Sequence, residues 1–190
     1  MALSHTKILE AAREVMTERG VAELSMRRLA QELDVAPGAL YYHVDSKQQL
    51  LIDLADFILE KAPSELSVAA GTRDRQRIAQ SLLQRGDVLY SVLYPIREGS
   101  QVMRLALNLH KDPIAPTAAI AQDLLVLGFS DEQAMMRARL LTHLSLDLIE
   151  EQQNRVMFAE VIEGPLDPTD AGRAAYLTSL REAIEMTLQH

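Results

Sequence analysis

Arg27, Arg28, Tyr41, Tyr42, His43 and Lys47 are the side chains of this sequence whose types and spacing are best suited to polar recognition. An arginine presents a planar fork of donors that fits a phosphate or the O6/N7 edge of guanine, while a lysine or a tyrosine hydroxyl fits a phosphate oxygen. The chemistry they offer is hydrogen bonding to an anionic polymer, with some capacity to tell one base from another.

The elements that must hold these groups are short. Ser25 suits the N-cap of a helix whose buried side shows Leu29, Ala30 and Leu33, with Arg27 and Arg28 near its exposed start. Two arginines there oppose the helix dipole, so an anion is expected to compensate them. Asp34 occupies the following turn, where aspartate tolerates the left-handed conformation better than most residues. Pro37 suits the first position of a second helix over about 37–44, which is too short to be stable alone and is anchored through Leu40 and Val44. Its other face carries Gly38, Ala39, Tyr41, Tyr42 and His43. Ser46 with Gln49 forms a capping-box pattern that opens a further helix, carried by Leu50, Leu51, Leu54 and Ile58 to about Ala62. Ahead of the pair, Ile8, Leu9, Ala12, Val15 and Met16 mark a helix from about Ser4 to Arg19, stopped at Gly20. A helix–turn–helix with an aromatic second helix fits the major groove, but short helix pairs are also common in plain helical bundles, and spacing alone leaves both readings open.

Composition narrows the field. The chain has 190 residues, 48% of them apolar, which is enough for a packed interior. No apolar run is long enough to span a bilayer, and Glu10 and Glu14 interrupt the N-terminal pattern where a signal peptide would be uniformly apolar, so a cytoplasmic protein is expected. The absence of cysteine excludes disulfides, thiolate metal sites and cysteine nucleophiles. A formal charge of −8 argues against indiscriminate coating of nucleic acid, which needs many cations. The acid is unevenly spread: residues 1–50 carry a net charge of −1 and residues 51–190 a net charge of −7. Any nucleic acid therefore belongs with the first fifty residues.

The remainder reads as helices. Pro63 and the small polar run after it suggest a connection, followed by helices over about 72–93, 102–109, 114–127 and 131–154, and a last helix after the loop EGPLDPTDAG at 163–172. The segment Val102–Leu109 is apolar almost all round and reads as buried. No strand alternation or repeat is evident, so the fold expected is all-α with about nine helices.

The stretch LSMRRLAQELDVAPGALYYHVDSKQQLL closely resembles the N-terminal DNA-binding domain of the TetR family of bacterial transcriptional repressors, over about residues 4–60. GFSDEQAMMRARLL is similar, more weakly, to the loop and penultimate helix of members nearest the tetracycline repressor. The resemblance implies a helix–turn–helix domain over 1–47, a connecting helix over 48–62, and a helical body over 63–190 that binds a ligand and dimerises. It places Ser25, Arg27, Arg28, Pro37, Gly38, Ala39, Tyr41, Tyr42, His43 and Lys47 at DNA. Within that set, Arg27 reaches a base edge or phosphate, residues 37–39 and 41 face bases, and Tyr42, His43 and Lys47 meet phosphates. Two positions depart from the pattern: many members have Gly where Asp34 stands and a Ser, Thr or Asn cap where Ala36 stands. Because Pro37, Gly38 and Ala39 bring no side-chain donors, readout is expected to lean on Arg27, Tyr41, thymine methyls and DNA shape.

The implied body directs attention to polar or soft groups inside its apolar helices: Tyr90, Tyr94, Met103, Arg104, Asn108, His110, Met135 and His143. Each also has a plain structural explanation, as a hydrogen-bonded core group, a methionine filling space, or a surface arginine. Together they are expected to line a pocket for an apolar or amphipathic small-molecule inducer. His143 and Asp147, four apart, fit an N–H to carboxylate pair or a solvated face better than a metal site, and neither metal nor cofactor is expected. His110 or His143 with nearby carboxylates lacks any nucleophile or phosphate-loop motif, so no enzyme is expected. The function implied is a repressor that binds a palindromic double-stranded DNA operator as a homodimer through helices 131–154 and 171–190, and is released by inducer. The alternative is a constitutive dimeric regulator of the same fold without a ligand.

Overall fold

The computed structural model describes residues 3–60, 73–110, 112–162 and 169–189. The described residues form helices throughout and no strand: α1 (His5–Arg19), α2 (Met26–Glu32), α3 (Pro37–Tyr41), α4 (Lys47–Glu60), α5 (Arg75–Leu93), α6 (Gly99–Leu109), α7 (Ala115–Val126), α8 (Asp131–Ile162) and α9 (Thr169–Leu188), with a 3₁₀ turn at Val21–Glu23. The expected connection after Pro63, the end of the fourth helix at residues 61–62 and residues 163–168 of the expected loop lie outside the described residues.

Local chemistry sets the boundaries of the first three helices. The Ser4 hydroxyl accepts the Lys7 amide and opens α1, and Gly20, at φ 85, closes it by donating its amide to Met16. Ser25 caps α2 by accepting the Arg28 amide at 3.2 Å. Asp34 takes the left-handed conformation expected of it, at φ 51. Helix α3 is shorter than the expected 37–44: after Tyr41 the amides of His43 and Val44 both turn back to the Leu40 carbonyl at 2.9 Å, which closes the helix while leaving Val44 buried. Only half of the expected capping box forms at α4. Ser46 accepts the Gln49 amide at 3.1 Å, but the Gln49 side chain reaches forward to Asp53 at 2.7 Å. Leu29, Leu40, Leu50 and Leu54 are fully buried and join α2, α3 and α4 to α1 in one core. We call this unit the head.

Helix α4 carries the head onto the body by packing against α6 and α5 as well as α1. Asp74 caps α5 through the amides of Gln76 and Arg77, Gly128 at φ 96 stops α7, and Ser130 and Gln133 cap α8 reciprocally at 3.2 Å. Helix α6 starts at Gly99, three residues before the expected Val102, and is one-sided instead of buried all round. Val102, Met103 and Ala106 face the interior, whereas Leu105 and Leu109 are 39% and 41% exposed. Helix α8 runs beyond the expected Asn154 to Ile162, 32 residues or about 48 Å at 1.5 Å per residue. Helix α9 takes in residues 169–172 of the expected loop. Helices α5 and α9 approach closely at Gly86, where a Cβ would stand 2.1 Å from Leu180 Cδ2 and the Tyr176 hydroxyl donates to the Gly86 carbonyl at 2.9 Å.

Candidate nucleic-acid interface

The head exposes most of the groups that the sequence singled out, while Ser25, Arg28 and His43 are half-buried. Leu40 and Val44 anchor α3, which turns Pro37, Gly38, Ala39, Tyr41 and Tyr42 outward; the two tyrosines are 52% and 88% exposed. The Tyr42 ring meets His43 edge-on, with centroids 5.4 Å apart. Lys47 stands exposed at the start of α4. The two arginines at the start of α2 differ. Arg28 is half-buried and its Nε donates to Glu32 at 3.1 Å, one turn along, which also relieves part of the dipole conflict. Arg27 is exposed and makes no ion pair among the described residues. The Ser25 oxygen is occupied as the cap of α2.

Gly38 has a property not visible in the sequence. A Cβ there would meet nothing within 4 Å, and its φ is not positive, so neither packing nor backbone geometry requires glycine. The cluster as a whole is a short, firmly anchored helix with two phenols outward, a free guanidinium and an ammonium beside it. That is the arrangement that major-groove docking requires: a rigid element for base edges and cations for the flanking phosphates.

The family model described as "Bacterial regulatory proteins, tetR family" matches residues 8–54, the span of α1 to α4. Among characterised proteins, the tetracycline repressor class D of Escherichia coli is 27% identical over 169 residues, covering 88% of this chain and 74% of the repressor. Among solved structures, BioQ of Mycobacterium smegmatis superposes with a TM-score of 0.79 at 26% identity, covering 98% of each chain. ActR of Streptomyces coelicolor, a TetR family protein solved in complex with (S)-DNPA, superposes with a TM-score of 0.69 at 26% identity, covering 100% of this chain and 90% of ActR. Over residues 8–54 the chain matches the TetR family, and over most of its length it is similar to TetR-family proteins. It is a DNA-binding transcriptional regulator with an N-terminal helix–turn–helix, not an enzyme.

Among the described residues of the body, the eight groups expected at a ligand do not converge on one cavity. Tyr90 is buried and stacks on Tyr94, centroids 4.7 Å apart, with Tyr176 at 4.9 Å on another side. Burial, then the Tyr94 phenol, push the Tyr90 hydroxyl up to about 12. Met103 is fully buried and Met135 half-buried. Arg104 is not an inward anchor: its Nη1 donates to Asp147 at 2.5 Å and its Nη2 pairs with Glu150, tying α6 to α8. Asn108 and His143 are exposed, and Asp147 pairs with Arg104 in place of His143. Among the described residues no group of three or more histidines and carboxylates is placed to hold a metal ion. His110 stands at the end of α6, with Nε2 3.5 Å from Asp56 of α4. Desolvation raises the Asp56 carboxyl, and the histidine opposes that shift.

Two internal features carry no signal in the sequence. Asp123 of α7 is fully buried and accepts from Arg85 Nε at 2.9 Å and Ser81 Oγ at 3.1 Å, both on α5. Beside Arg85 a void of about 20 Å³, room for about one water, is walled by Leu82, Ile120, Leu141, Ser145 and Leu180. The second is Glu98, a left-handed non-glycine residue whose carboxylate reaches the head. Arg85 and Asp123 lie 38 residues apart on different helices, and no helical periodicity could pair them. No helix among the described residues is long and apolar enough to cross a membrane.

Proposed function

We propose that this chain is a homodimeric repressor that binds a palindromic DNA operator and is released by a small-molecule inducer. The observation that carries the dimer is an apolar face left open on the last two helices. Met136 and Leu140 of α8 are 54% and 62% exposed and Met186 of α9 is 70% exposed, side chains that a lone soluble chain has little reason to present together. A two-fold pairing through α8 and α9 covers them. It also spaces two heads about one DNA turn, roughly 34–36 Å, apart, and doubles the few cations each head offers. The reading places the protein in the cytoplasm, where such DNA is reached.

Ligand release is supported by the body's makeup and by kinship. ActR carries its small molecule on the same fold, and here an apolar interior that holds the pair of Arg85 with the buried Asp123 offers an inducer both apolar walls and a polar anchor. Sedimentation and operator binding test the reading together. The chain is expected to be a dimer at micromolar concentration, and Leu140→Glu is expected to yield monomers that lose operator affinity. A wild-type monomer at that concentration overturns it. The second reading, a constitutive dimeric regulator, is favoured by the small size of the internal void. Screening small molecules by thermal shift separates the two, because an inducer stabilises the body by mass action.

A further inference from the structure

Glu98 adopts a backbone conformation that its side-chain type disfavours. It stands at φ 58 and ψ 20, in the left-handed region, directly ahead of α6, where a glycine would be unstrained. A glycine would lack the carboxylate, and the carboxylate is engaged. Its Oε2 accepts the amide of Val21 at 2.7 Å, a contact between residues 77 apart in sequence. Val21 opens the 3₁₀ turn between α1 and α2, so its amide is one of the first-turn donors that a helix cannot satisfy itself. The neighbouring Gly20 leaves room for the carboxylate: a Cβ there would lie 2.9 Å from Oε1 and 3.0 Å from Oε2 of Glu98. Arg97 adds a longer ion contact to Glu98, at 3.9 Å.

The turn that carries Glu98 is itself fixed to the body. Gln153 of α8 donates through Nε2 to the carbonyls of Tyr94 at 2.8 Å and Ile96 at 3.0 Å. At the far end of α6, His110 meets Asp56 of α4. Helix α6 therefore grips the head at both ends, through α4 at one and through the α1–α2 junction at the other. Beside the Glu98 contact lies a cleft of about 720 Å³ between α1 and α8, lined in part by Thr17, Tyr94, Gln101 and Met157, which leaves the head space to swing once the contact is lost.

We propose that Glu98 is a positioning residue for DNA binding: its carboxylate latches the α1–α2 junction to the body and fixes the direction in which α2 and α3 face the duplex. The residue acts through Val21 and touches no DNA. The inference rests on the head reading DNA, and the experiment separates the two. Glu98→Gly removes the carboxylate while relieving the left-handed strain, so the variant folds; Glu98→Gln keeps an acceptor oxygen for Val21. The full-length protein and both variants are titrated against the duplex that the wild type enriches from a random-sequence pool, and amide exchange is followed at Val21. Glu98→Gly is expected to weaken duplex affinity about tenfold and to speed Val21 exchange by at least as much, the loss of one hydrogen bond to a charged acceptor. Glu98→Gln is expected to stay within about threefold of wild type on both. Duplex affinity for Glu98→Gly within about twofold of wild type, or above it, overturns the latch, as does unchanged Val21 exchange. A wild type that enriches no duplex overturns the DNA reading itself.

Discussion

Gly38→Ala sets two effects of opposite sign against each other. In the free protein the added methyl enters open space, since no atom lies within 4 Å of a Cβ at this position. Alanine is favoured over glycine in a helix by about 0.5–1 kcal/mol, so the variant is expected to melt about 1–4 °C higher than wild type. The same methyl stands on the exposed side of α3, beside Pro37, Ala39 and Tyr41, the side that the proposed reading sets against the base edges. Disturbing readout at one base pair costs about 1–3 kcal/mol, and in the proposed dimer a head on each half-site doubles that to about 2–6 kcal/mol. Even the lower bound is about a thirtyfold loss of affinity. Thermal denaturation and fluorescence anisotropy with the enriched duplex measure both sides. A variant that gains stability and keeps its affinity within about threefold refutes the reasoning, because Gly38 would then face solvent and not DNA.

The remaining expectations concern contacts of three kinds. Lys47→Ala is expected to weaken binding to every sequence and to flatten the salt dependence by about one phosphate's worth, whereas Arg27→Ala also relaxes base preference; equal losses for Arg27→Ala on operator and random DNA would remove its base-reading role. Gly86→Ala drives a methyl to 2.1 Å from Leu180 Cδ2, and such overpacking costs about 1–3 kcal/mol. Calorimetry on the variant, alone and combined with Leu180→Ala, is expected to show the pair destabilised by less than the sum of the single changes; strict additivity would mean the two groups do not collide. The Tyr90 phenol rises from 10.0 in the unfolded chain to about 12 in the fold, so the folded state holds this proton longer. Its contribution to stability is intact below pH 10 and is lost as pH rises from there through about 12. Tyr90→Phe is expected to shallow the alkaline arm of the stability profile, and an unchanged arm would show that Tyr90 does not titrate in that range.

Features set by close neighbours along the chain are legible in the sequence itself. Ser4, Gly20, Ser25 and Asp34 act within four residues of where they stand, and each holds the cap or turn its chemistry suggests. The exposure of Tyr41 and Tyr42 follows from Leu40 and Val44 anchoring the opposite side of α3. Long-range choices are not legible. Arg104 has the pattern of a polar group inside an apolar helix, but two carboxylates on α8 draw it to the surface. Gln49 has a backbone partner available at the cap and takes Asp53, a charged acceptor one turn on. Glu98 gives no signal, because a left-handed glutamate is unfavourable alone and the amide that holds its carboxylate lies 77 residues away. The candidate ligand groups scatter for the same reason: which helix face turns inward depends on how α5 to α9 pack together, and one-dimensional periodicity does not encode it.

The most direct test of a paired helix–turn–helix reader is the symmetry of the DNA it selects. Enrichment of duplexes from a random pool, followed by the mass of the resulting complex, reads the symmetry and the stoichiometry in one experiment. The expected result is a palindrome whose half-sites lie about one helical turn apart, bound by two chains, with enrichment lost in the Arg27→Ala, Lys47→Ala double variant. An asymmetric site bound by a single chain, or enrichment that survives the loss of both cations, would contradict it.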